Sequence, residues 1–238
     1  LLSGAEAFYR KQRLVLPLAL VLRERGRTAV RFGRLVEAES AFREGLELLE
    51  RERSVIAADS SSEFLAAAQG VFDEAIAFFA EVQQDSHAAL AISERSRAML
   101  FAEPTSSGLG STAAAFARGI GPGELLLEYA VLDGRILVWA ISGDGISMHR
   151  LPVSAADVAR ELLGFDRTSV QQPSTNDVML ERLFDQLLLP VERHLTARSL
   201  ITIVRDGVVS FVPFAALRDR RSGRYMIEDH AIAFATQL

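Results

Sequence analysis

The hydrophobic period of this chain changes partway along it, and that change limits the architecture more than any other feature. Through residue 102, apolar side chains return every three or four positions in sequence rich in Ala, Leu, Glu and Arg. Only Pro17 interrupts this stretch, so amphipathic helices are predicted. From Leu125 the period becomes that of strands. In "LLLEYAVLDGRILVWAISGDGISMHRLPV", Asp133-Gly134 and Gly143-Asp144-Gly145 are hairpin signals that predict three antiparallel strands. Between the two regimes lies "EPTSSGLGSTAAAFARGIGPGE". The expected organisation is a helical part at 1–102, a linker at 103–124 and an α/β part at 125–238, an α plus α/β chain.

One helical stretch is more specific. In "LRERGRTAVRFGRLVEAESAFREGLELLER" the small residues Gly26, Gly33, Ala38 and Gly45, with Phe42, resemble the pattern of a tetratricopeptide repeat. The spacing has a physical sense. Small residues let antiparallel helices approach, Gly33 supplies the turn and Phe42 fills the gap. Leu22 holds the position of a large residue, Arg25 replaces the usual Leu, and no proline closes the repeat. A second, more degenerate pair follows, "SSSEFLAAAQGVFDEAIAFFAEVQ" and "DSHAALAISERSRAMLF", with Ser61 or Ser62 and Asp85 as N-caps. An ordinary helical bundle has the same periodicity and stays the alternative. As repeats, these helices would be the last units of a longer solenoid.

After the predicted meander, a helix is expected at about Ser154 to Leu163, then a polar loop. A second helix from Asn176 carries Met179, Leu180, Leu183, Phe184, Leu187 and Leu188 on one face, and Pro190 interrupts or restarts it. "LITIVRDGVVSFVPFAAL" then reads as a buried strand, Leu200 to Val204, a turn at Arg205-Asp206-Gly207 and a second strand, Val208 to Val212. Pro213 suits the start of a short helical turn, "FAAL". The near-continuous apolar runs at 200–204 and 230–235 predict strands buried on both faces, with one unpaired edge left in the sheet.

The net charge is −5 and basic residues are interspersed with acidic ones, so nucleic-acid binding has no electrostatic footprint. The longest apolar stretches, such as Leu14 to Leu22, are too short to span a bilayer, and nothing at the start resembles a signal peptide. The chain opens on Leu1 and stops just after a strand-like run, which suggests a piece of a longer cytoplasmic protein.

Cysteine is absent, which removes disulfides, thiolate metal sites and cysteine nucleophiles from these residues. His87, His149, His194 and His230 lie far apart in sequence, and His87 and His194 read as surface residues. "GISMH", Gly145 to His149, lacks the last glycine of a nucleophile elbow and lies on a hairpin, so a serine hydrolase is rejected. Gly108-Leu109-Gly110 follows no strand and carries no Gly-Lys-Ser/Thr, which makes a flexible joint more apt than a phosphate loop. Glu228, Asp229 and His230, as strand neighbours, would point to alternate faces and form an edge cluster. No catalytic, cofactor-binding or metal-ligating residue is assigned, and no cofactor is expected.

The segment "LITIVRDGVVSFVPFAALRDRRSGRYMIEDHAIAFA" resembles the CHAT domain, a caspase-like and separase-like cysteine-peptidase family that commonly follows tetratricopeptide repeats. The resemblance rests on Ile201 to Val204, Asp206, Gly207, Pro213 to Leu217 and Tyr225 to Ile232, with Arg205 where the family usually has proline. "LLLEYAVLDGRILVWAIS" and "DVMLERLFDQLLLPVERHL" look similar to the family's earlier part, extending the likeness over about 110–238. It implies the N-terminal portion of a caspase-like α/β domain whose catalytic His and Cys come downstream of Leu238. His230 does not match the family's catalytic histidine. The implied activity of the whole protein is peptide-bond hydrolysis, with the repeats binding a protein or peptide partner. The alternative is a non-enzymatic scaffold.

Overall fold

A computed structural model describes residues 2–51, 62–100, 119–164, 173–195 and 200–235. Contacts divide the chain into two units, 1–108 and 109–238. Most of the expected linker, including Gly108 to Gly110, lies outside the described residues, as does most of the polar loop before Asn176.

In the first unit, α1 (Leu2–Gln12) precedes an antiparallel pair, α2 (Val15–Arg31) and α3 (Leu35–Arg51). The turn between them is a Schellman motif. Gly33 sits at φ +70°, its N–H donates to Val30 O at 3.0 Å, and the Arg34 N–H donates to Ala29 O at 2.9 Å. A missing Cβ sets how closely the pair packs. A Cβ on Gly26 would lie 2.7 Å from the Phe42 ring, whereas one on Gly45 would meet Val71 at 3.4 Å, an ordinary contact. Phe42 is thus seated on the Gly26 backbone and meets Phe78 with ring centroids 5.1 Å apart. Burying such a side chain contributes about 1.5–3 kcal/mol.

The second pair is α4 (Ser62–Ala77), continued by a π-helical turn, Phe78–Val82, and α5 (Ser86–Leu100). Asp85 caps α5, accepting from the Ala88 N–H at 2.9 Å. Ion pairs cross between helices, among them Arg95–Glu50 at 2.5 Å and Arg10–Glu44 at 2.6 Å. The first unit is a set of helical hairpins.

The second unit is built on a mixed sheet of β1 (Glu124–Leu132), β2 (Arg135–Ser142), β3 (Gly145–Arg150), β4 (Leu200–Val204) and β5 (Ala231–Ala235), in the order β3-β2-β1-β4-β5. The meander β1-β2-β3 is antiparallel, as its turn signals predicted. Strands β4 and β5 run parallel to β1, so long connections must cross between them. The first crossover carries α6 (Ala155–Leu163), capped by Ser154 with Asp157, then α7 (Pro173–Leu187), a 3-10 turn at Leu189–Val191 and α8 (Glu192–Leu195). Pro190 restarts the helix, as expected.

Alternation sorts the core. Leu125, Leu127, Tyr129, Ile136, Val138, Ile201 and Ile203 face the packed helices with Val158, Leu183, Phe184 and Leu187. The intervening positions, such as Leu137, Trp139 and the carboxylate-bearing Glu128, are also buried.

Three expectations fail here. Val208 to Val212 is not a strand: Gly207–Phe211 is a 3-10 helix, followed by a second at Phe214–Ala216. Residues 225–232 are not one strand either, since α9 (Met226–Asp229) precedes β5. Burial of β5 on both faces is not seen, because the strand lies at the sheet's edge, with Ala231 and Phe234 exposed.

Candidate functional site

The point at which β4 stops sets the course of the chain after it. The register pairs Val204 with Glu128, and β4 ends there while β1 continues to Leu132. The Asp206 side chain takes over that open edge, its Oδ2 accepting the Val131 N–H at 2.7 Å. Gly207 follows at φ +49°, and a Cβ there would approach Val131 to 3.2 Å. The Asp-Gly pair is therefore a clasp on β1 rather than a hairpin turn. Released from pairing, residues 207–211 coil into the 3-10 helix. Val212 is extended, as the residue before a proline prefers, and Pro213 opens the second 3-10 turn, with the Ala216 N–H donating to Pro213 O at 2.8 Å.

This corner plugs the core. Val209, Val212, Phe214 and Leu217 are buried, and Phe214 packs on Tyr129 with ring centroids 5.4 Å apart. The Tyr129 hydroxyl donates to Leu187 O at 3.1 Å, satisfying a carbonyl in the last turn of α7. Burial pushes this phenol far above its ordinary pKa, so it stays a donor. On the carboxyl side of β4, Arg205 lies over the Phe234 ring at 4.2 Å and donates to Ser210 O at 3.0 Å.

Beyond the corner, residues 218–230 form a charged lattice. Arg218 reaches Glu181 at 2.7 Å, and the Tyr225 hydroxyl donates to Asp177 at 2.9 Å, an interaction that raises the phenol's pKa. A cleft of about 250 Å³ opens beside this lattice, with Phe184, Leu195 and Met226 among its apolar walls. Its carboxylates are engaged by arginines: Arg221 holds Glu192 and Asp219, and Arg224 holds Asp229 at 2.7 Å. The bond from Arg224 keeps the Asp229 carboxyl below its usual range. An ion-paired carboxylate is a poor general base, so these three carboxylates supply charge rather than proton transfer.

The triplet Glu228, Asp229 and His230 does not lie on a strand: the first two end α9 and His230 follows as its C-cap. Glu228 accepts the Tyr225 N–H at 2.7 Å, and the His230 N–H donates to Met226 O at 2.9 Å. His87 is exposed, as expected. His194 is not a plain surface residue: it is half-buried, and its Nε2 lies 2.8 Å from Ser147 Oγ. His149 joins it, with Nε2 3.3 Å from the same oxygen. Sequence reading missed this trio, since nothing in the chain links β3 with α8.

Among the described residues no helix is long and apolar enough to cross a membrane. No curated protein matches the chain. Residues 177–238, from α7 through the clasp and corner to the end of the chain, match the CHAT domain family. The match is narrower than the likeness over 110–238 and leaves the β1-β2-β3 meander outside it.

Proposed function

We propose that the helical hairpins are tetratricopeptide-type units that bind a protein or peptide partner, and that residues 125–238 are the N-terminal portion of a CHAT-type domain. In the whole protein this domain would act as a caspase- or separase-like cysteine endopeptidase regulated through the repeats. The CHAT match at 177–238 carries the reading. The parallel trio β1, β4 and β5 supports it. The carboxyl ends of parallel strands are where open α/β sheets mount their sites, and the Asp206 clasp fixes the chain there. The outer edge of β5 has no partner strand among the described residues, which leaves room for further strands of such a domain.

A histidine base would take the proton of a thiol; the thiolate would attack the scissile carbonyl, and the amine would leave with that proton as the acyl-enzyme forms. The chain holds no cysteine, so on this reading the thiol would have to be supplied from outside these residues. The scaffold reading draws on the same fact, and on a cleft whose carboxylates are engaged by arginines.

The test compares this chain with the product of the whole reading frame on a peptide library, before and after thiol alkylation. The proposal expects cleavage by the longer protein alone, abolished by alkylation. A longer protein that cleaves nothing, with or without a bound partner, would leave the scaffold. Cleavage by the 238-residue chain itself would overturn both readings.

A further inference from the structure

Strand β3 carries Ser147 and His149 two positions apart, hence on one face of the sheet, opposite Ala140 and Val138 of β2. Helix α8 brings His194 to the same place. Both imidazoles aim Nε2 at the Ser147 hydroxyl, at 2.8 Å from His194 and 3.3 Å from His149, and their ring centroids are 5.9 Å apart.

We propose that His149 and His194, with the Ser147 hydroxyl between them, form a binding site for a divalent transition-metal ion of the zinc, nickel and copper type. Two imidazoles ligating one ion through Nε2 at 2.0–2.1 Å place their ring centroids about 5–6 Å apart at ligand angles of about 105–135°. The observed separation falls in that range, and the Ser147 hydroxyl, 2.8 and 3.3 Å from the two nitrogens, must turn aside from the point they share. Imidazole donors select this class of ion over magnesium or calcium. Among the described residues no group of three or more His, Asp or Glu side chains is placed to hold a metal, so water would have to complete the coordination shell.

Arg193 Nε donates to His194 Nε2 at 3.0 Å, which engages the lone pair of that nitrogen. Arg193 itself opposes the ion. Its side chain is exposed and must swing away, which weakens binding without blocking it. The Ser147–His194 contact also has the geometry of a nucleophile–base pair, but neither the cleft walled by Phe184 and Met226 nor the one walled by Met179 and Arg182 is lined by these residues.

The test is titration of the untagged chain with zinc chloride in a non-coordinating buffer, followed by calorimetry and by the histidine ring resonances in NMR. The expected result is one ion per chain, shifts confined to His149 and His194, and tighter binding of copper than zinc. Affinity should fall on acidification, as protons compete for both rings. His149→Gln and His194→Gln should each abolish the site, His87→Gln should leave it, and Arg193→Gln should strengthen it. The NMR arm uses the unaltered chain and does not depend on any variant folding. Absence of binding, or shifts at His87 and His230 instead, would overturn the proposal. Weakening by Arg193→Gln, together with shifts of the same two rings by inorganic phosphate, would show an anion site and overturn it equally.

Discussion

The two units use the same kinds of residue to opposite ends. In the helical unit, Gly26 is a place where a side chain is left out so that helices close in sequence can meet, and Phe42 is pressed onto it. In the α/β unit, Gly207 is a joint where the chain leaves β4, and the bonds that fix it are long-range: Asp206 to Val131, Tyr129 to Leu187. Arginine differs in the same way. It crosses neighbouring helices in the first unit and ties the 218–230 segment back to α7 and α8 in the second. A hairpin can be read from its own residues; a crossover depends on partners that sequence order does not announce.

That contrast can be broken by mutation. The largest effect is expected at Phe42→Ala, which should cost about 3 kcal/mol or more in chemical denaturation, because it empties the space over Gly26 and against Phe78. A loss below about 0.5 kcal/mol, typical of exposed positions, would refute the close-packed pair. Asp206→Ala comes next, at about 2 kcal/mol, since it leaves the Val131 N–H without its charge-assisted partner. If Asp206→Ala were neutral while Val131 amide exchange stayed slow, the clasp would not hold β1.

Gly207→Ala should cost about 1–2 kcal/mol from the left-handed backbone alone, with crowding of Val131 in addition. Tyr225→Phe should cost about 1 kcal/mol or less, being one part-buried hydrogen bond to Asp177. The smallest effect is on pH. His149 has a lowered folded pKa, so the unfolded chain binds its proton more readily. The resulting stabilisation is present above the ordinary histidine pKa and is lost as pH falls through that value towards the folded one. His149→Gln should flatten this part of the stability profile.

Much of the fold was legible because local signals and tertiary structure agreed. Gly33 marked the turn between α2 and α3, Asp85 capped α5, and Asp133-Gly134 and Gly143-Asp144-Gly145 separated the meander strands. Where they disagreed, the reading failed. Asp206-Gly207 between two apolar runs is a strong hairpin signal, yet Asp206 caps a different strand and β4 pairs in parallel on both sides, leaving no antiparallel partner for Val208 to Val212. For α9 the Glu228 side chain accepts the Tyr225 N–H, but tyrosine at the N-cap is not a residue that announces a helix start. The candidate site was less legible. The meeting of His149 with His194 depends on how α8 docks, which periodicity does not encode. The spacing of histidines along the chain argued against any pairing.

Hydrogen exchange resolved by residue tests the asymmetry of the sheet most directly. Strand β4 is bonded on both sides, by β1 and β5, whereas β5 is bonded only by β4 among the described residues. In a monomeric sample the amides of 200–204 should be protected throughout, and those of 231–235 should alternate, with the outward-facing N–H groups exchanging at rates near those of frayed ends. Uniform strong protection across 231–235 would contradict an open edge at β5, and with it the reading of this sheet as one that further strands can extend.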